Sequence, residues 1–194
     1  MILKKLFISC VGVLLIILCL YTEQAQSKIA DSVIRLHILA NSDLPKDQRI
    51  KINVRDFVLE NYGEKLKATS RDDAIKKIND NLSQIQKDIS DFCGQDVSLT
   101  LCDENFSTRK YDFFSLPSGD YLSLKIVLGE GNGKNWWCVM YPPLCFSEYS
   151  TVTDKEKLKS LLSEDEYRLI TENNNEVLFK FKTLEIWNKI KTFF

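Results

Sequence analysis

Residues 70–101 read SRDDAIKKINDNLSQIQKDISDFCGQDVSLTL, and a change of period inside this stretch decides the fold class. Apolar residues at Ile75, Ile78, Leu82, Ile85, Ile89 and Phe92 alternate steps of three and four, the stripe of an amphipathic helix. Ser70 with Asp73 resembles a capping box whose acid is one methylene short, and Gly94 supplies a stop. About three heptads of this spacing is marginal for a coiled coil, so the stripe is expected to pack against a sheet. Beyond Gly94 the period falls to two: Val97, Leu99 and Leu101 alternate with Ser98, Thr100 and Cys102, as in a half-buried strand.

Upstream, Val33 to Leu39 is a short apolar run that reads as a buried strand. It ends at Asn41, Ser42 and Asp43, whose side chains favour a turn or a helix start, and Pro45 suits a first helical turn. Ile50, Val54, Phe57, Val58, Tyr62 and Leu66 then form a second amphipathic stripe. Downstream, Asp103, Glu104 and Asn105 read as a hairpin turn into a strand from Phe106 to about Tyr111. Pro117 to Asp120 reads as another turn. Leu122, Leu124, Ile126 and Leu128 oppose Tyr121, Ser123 and Lys125 along a further strand, and Trp136 to Tyr141 is the last, cut off by Pro142 and Pro143. The expected class is therefore α+β: a two-layer sandwich of a mostly antiparallel sheet packed by two long helices, with an N-terminal signal or anchor segment. Asp154 to Leu162 reads as a charged helix, 177–181 as a strand, and Leu184 onward as a final helix. That tail mixes Leu184, Trp187, Ile190 and Phe194 with lysines, which suits docking on the core or lying on an anionic membrane.

The expected organisation is 1–27 as signal peptide or membrane anchor, 28–150 as the α+β domain, and 151–194 as a helical extension. Lys4 and Lys5 precede an uncharged run from Leu6 to Leu20 and then a polar stretch, the order of a secretory signal. Ala25 and Ser27 permit cleavage before Lys28. Residues 1–21 are also about long enough to span a ~30 Å bilayer, so an uncleaved anchor stays open. In both cases the two lysines hold the N-terminus inside and the remainder is exported. Leu18 before Cys19 is not small, which argues against lipid attachment there.

The 194 residues carry 26 basic and 27 acidic side chains and one histidine, so no strong field gathers nucleic acid. Four cysteines, Cys93, Cys102, Cys138 and Cys145, lie beyond the apolar run. Export favours disulfides, and pairing of sequence neighbours, 93–102 and 138–145, is expected. Their spacings lack the close pair of a zinc site, and no cofactor or metal is expected.

Residues 129–137 read GEGNGKNWW. A phosphate loop ending at Gly133 and Lys134 needs Gly at 128 and Ser or Thr at 135, where Leu128 and Asn135 stand. The dinucleotide pattern needs Gly at 134 and a following helix. A glycine-rich hairpin loop is the expected reading. His37 reads as a hydrogen-bonded structural residue rather than a general base, since no nucleophile partners it. Asp43, Asp56 and Glu130 read as separate solvated acids. Trp136 and Trp137 point to opposite faces of their strand, and an exposed indole beside Lys134 and Asn135 makes a binding anchor. No catalytic constellation emerges.

Two segments resemble the stage II sporulation protein R family of endospore-forming bacteria. One is VIRLHILANSD at 33–43, with Asp47, Gln48, and Lys51 to Asp56. The other runs from LPSGDY at 116–121 through Gly129 to Gly131 and NWWCV at 135–139 to PPLCF at 142–146. The similarity covers most of residues 30–146; Asp112 stands where the family pattern leads one to expect Gly. The resemblance implies a protein exported from the forespore into the space between forespore and mother cell. There it signals to a membrane-embedded aspartic peptidase, which removes the pro-sequence of sigma-E. The implied role is that of messenger rather than enzyme, by binding that favours the peptidase's active state. Candidate partner-binding residues are Lys134, Asn135, Trp136 and Trp137, with His37, Asn41, Asp43 and Arg55. Membrane contact through 1–21 is expected if the segment is retained. An exported hydrolase and a small-ligand module are the alternative readings.

Overall fold

Gly94 is where a 23-residue helix gives way to a ten-residue strand. The computed structural model describes residue 7 and residues 23–111, 113–144 and 152–171. Along the described chain, α1 covers 23–32 and β1 is Ile34–Leu39. Then come α2 (Pro45–Tyr62), α3 (Arg71–Cys93), β2 (Val97–Phe106), β3 (Arg109–Lys110), β4 (Ser115–Leu116), β5 (Gly119–Leu128), β6 (Asn135–Tyr141), α4 (Val152–Leu161) and α5 (Glu164–Thr171). The class is α+β with a mixed, mostly antiparallel sheet. The expected export segment, apart from residue 7 and residues 23–27, and the strand and final helix expected at 177–181 and from Leu184 lie outside the described residues; 23–27 are helical.

The four-stranded sheet has the order β2-β5-β1-β6. β1 runs parallel to β5 and antiparallel to β6, with His37 opposite Lys125 on one side and Trp137 on the other. β2 is antiparallel to β5. The amide of Gly129, just past β5, bonds the Asp96 carbonyl just before β2, while Asn105 near the far end of β2 bonds Asp120 near the start of β5. The parallel central pair is possible because α2, α3 and β2 carry the chain away between β1 and β5.

The chain divides into two units. The larger comprises 31–104 and 121–161. Its core joins one sheet face (Leu36, Ile38, Leu124, Ile126, Val97, Leu99, Met140) to the helix stripes (Val54, Val58, Ile78, Ile85, Ile89). Trimming a fully buried residue such as Ile85 or Ile89 to alanine costs about 2–5 kcal/mol, so this face dominates stability. α2 and α3 are also clasped by the Tyr62 hydroxyl, which donates to the Asp88 carboxylate, and by stacking of Phe57 on Phe92 at 4.5 Å. The smaller unit comprises 1–30, 105–120 and 162–194. Within its described residues β3 pairs with β4, Tyr111 stacks on Phe114, and Lys28 approaches Glu166 at 4.0 Å.

The helix ends follow the capping chemistry. Ser70 accepts from the Asp73 amide, the Asp73 carboxylate accepts in return from the Thr69 amide, and Gly94 closes α3 at φ 63°. Three expectations need correction. Residues 103–105 are not a turn: β2 continues through them because Glu104 and Asn105 find cross-strand partners and no glycine bends the chain. The hairpin after Phe106 is accordingly short, two residues a side. Cys93 and Cys102 are free thiols, so the 93–102 pairing does not form; one ends α3 and the other lies within β2. Cys145, half of the other expected pair, lies outside the described residues.

Candidate functional site

Because side chains alternate along strands, the sheet order places one row of polar and aromatic groups across four strands: Glu104, Lys125, His37 and Trp137. His37, 8% exposed, lies 3.1 Å from the Glu104 carboxylate through Nδ1 and 2.9 Å from the Asn135 side-chain oxygen through Nε2. Its ring stacks on Trp137 with centroids 5.4 Å apart. Lys125 Nζ reaches Glu104 at 2.8 Å. Burial works against the Glu104 carboxylate, but the hydrogen bonds and charges of Lys125 and His37 outweigh it and hold the group below the usual range. The same bond to Glu104 raises Lys125. A base that activates a nucleophile needs a ring nitrogen facing it; here Glu104 takes one nitrogen and Asn135 the other.

A second construction lies where β1 ends and β6 begins. Asn41 accepts the Glu130 amide at 3.0 Å and donates to Asp47 at 2.9 Å; Ser42 donates to Asp47 at 2.6 Å. Asp43 accepts the Lys134 amide at 2.7 Å, and Lys51 donates to the Lys134 carbonyl at 2.9 Å. Gln48 ties the Ser42 carbonyl to Lys51. The bonds from Ser42 and Asn41 hold the Asp47 carboxyl below its ordinary range, and burial lowers Lys51. The N-cap position before α2 is held by Leu44, which has no side-chain acceptor, so the helix has no side-chain cap.

Every amide from Gly129 to Lys134 has an internal acceptor: Asp96, Asn41 Oδ1, Leu128, Asn41, Ala40 and Asp43 in turn. An anion cradle requires such amides to point at the ligand, so this loop is a fixed structural feature; it is not the expected hairpin, because β1 lies between β5 and β6 in the sheet and the loop crosses the end of β1 to join them. The glycines are required by close approach: a Cβ on Gly129 would lie 2.3 Å from Asn41 Oδ1, and one on Gly133 2.3 Å from the Ser42 carbonyl oxygen.

The expected split of the tryptophans holds. Trp137 stacks on His37, while Trp136 packs on the core with the Arg55 guanidinium 5.4 Å over its ring; both are half-buried. Arg55 also pairs with Asp56 at 2.6 Å. Six of the eight candidates fall into two linked groups, and two stand apart. His37, Asn135 and Trp137 share the sheet row, and Asn41, Asp43 and Lys134 build the loop; Arg55 and Trp136 stand on the opposite sheet face. Asp43 and Asp56 are engaged separately. Sequence reasoning did not name Glu104, hidden by the turn assignment, or Lys125 as site residues, and noted Asp47, Gln48 and Lys51 only as part of the family pattern. Among the described residues no cluster of three His, Cys, Asp or Glu side chains is placed to hold a metal, and no helix is long and apolar enough to cross a membrane.

Comparison with known proteins follows the same residues. The family described as stage II sporulation protein R matches residues 30–151. Stage II sporulation protein R of Bacillus subtilis (strain 168) is 35% identical over 164 residues, covering 76% of this chain and 73% of that protein. No solved structure matches.

Proposed function

This chain belongs to the stage II sporulation protein R family, and from that premise we propose that it is an exported activator. It leaves the forespore, retained by or released from its N-terminal segment. In the space between the two cells it binds a membrane-embedded aspartic peptidase of the mother-cell membrane, and the peptidase then processes the sigma-E precursor. The chain itself performs no chemistry. Its binding free energy does the work: it holds the peptidase's active state more tightly than the inactive one, and equal affinity for both would shift nothing. In the oxidising space outside the cytoplasm the pairing of Cys138 with Cys145 fixes the turn after β6.

The family match carries this reading, and it spans both the sheet row and the loop clasp. The geometry supports it in one respect. The motif residues are consumed in holding a loop and two indoles in place, and preorganisation of this kind lowers the entropic cost of binding a partner. The test is reconstitution. Vesicles carrying the peptidase and its precursor are supplied with the full chain, and precursor cleavage is followed with time. Cleavage that begins only when the chain is added supports the activator; no difference between the two samples contradicts it.

A further inference from the structure

We propose that the contact with the partner is made by the outward side chains of the glycine loop, Glu130, Asn132 and Lys134, together with Leu44, rather than by the tryptophan pair. This deepens the activator reading and rests on it. The sequence alternates glycine with polar residues from 129 to 134, and the structure gives each half of that alternation its own task. A side chain on Gly129, Gly131 or Gly133 would run into Asn41, Val127 or the Ser42 backbone. The intervening Glu130, Asn132 and Lys134 are exposed. With all six amides already bonded within the protein, the loop has little conformational freedom left to lose, and its backbone has nothing to offer a ligand. What it offers is an acid, an amide and a base at fixed spacing.

Leu44 is 65% exposed and lies one position from the Asp43 that pins Lys134, so it adjoins this surface. An exposed leucine flanked by fixed polar groups fits a protein partner that seats it in an apolar hollow ringed by polar atoms. The charges here cancel, Glu130 and Asp43 against Lys134 and Lys46, so a polyanion or anionic lipid surface is a poor match. The occupant is therefore an exposed protein segment of the membrane partner, of mixed charge and with an apolar seat. The tryptophans are already engaged with His37 and Arg55.

Two variants of the full chain test this in the reconstituted vesicles: Glu130→Ala/Asn132→Ala/Lys134→Ala, and Leu44→Ala. Lys76→Ala, exposed on α3, serves as control. All substitutions are at exposed positions, so melting temperatures should stay within a few degrees of the parent. The expected result is a tenfold or greater rise in the concentration needed for half-maximal precursor cleavage for both variants, with the control unchanged. If the parent stimulates cleavage and both variants match it within twofold, this inference is overturned and the activator reading stands. If the parent itself does not stimulate, both fall together.

Discussion

Asn41 serves three partners at once: its oxygen takes the Glu130 amide, its nitrogen serves Asp47, and its carbonyl receives the Asn132 amide. Asn41→Ala deletes both side-chain bonds and leaves the Glu130 amide without its acceptor. We expect a loss of about 1–2 kcal/mol, seen as a lower melting temperature. Asp47 gives the same site a pH signature. Its folded-state pKa is depressed by Ser42 and Asn41, and Glu104 is likewise depressed. Such groups contribute stability that is fully present above the unfolded carboxylate values, about 4, and is lost as pH falls through the folded values. Melting temperature should therefore be flat from neutrality to about pH 5 and fall below that, and Asp47→Asn should shallow the acid limb. An unchanged limb would show that Asp47 carries no linkage. At this scale the sequence was partly legible. The Asn-Ser-Asp run announced side-chain bonding to backbone, but whether it would cap α2 or grip a loop 89 residues away depends on the β1–β6 pairing, which no local pattern encodes.

Elements were easier to read than the bonds between them. Helix α3 begins and ends where Ser70 and Gly94 dictate, because capping is local chemistry. Removing the cap oxygen with Ser70→Ala should cost about 1 kcal/mol, lowering the melting temperature by a few degrees while leaving partner activation intact, since Ser70 lies on neither group of candidate residues. Gly133→Ala should do the reverse. Its new Cβ has no room beside the Ser42 carbonyl oxygen, so the loop must move, and activation should fall more steeply than stability; a variant as active as its parent would remove the loop from the account. The failures at this scale were instructive. Residues 103–105 are polar enough to suggest a turn, yet polarity alone does not bend a chain, and Glu104 stays in β2 because Lys125 and His37 receive it. The parallel pairing of β1 with β5 was also invisible, since alternation reports burial and not strand direction.

At the scale of the whole molecule, the family match joins the sheet row and the clasped loop to a role in sporulation. The near-balance of charge gave no reason to expect a nucleic-acid partner and could not supply a positive function; that came from motif resemblance, and the geometry explains why those motif residues stand together. The central claim is that the chain activates chemistry performed by another protein. The direct measurement is precursor cleavage, with the full chain added, in two sets of vesicles: one with the intact peptidase and one with its catalytic aspartate replaced. The activator account predicts chain-dependent cleavage in the first and none in the second. Cleavage that persists without a working peptidase would contradict it and make this chain a hydrolase.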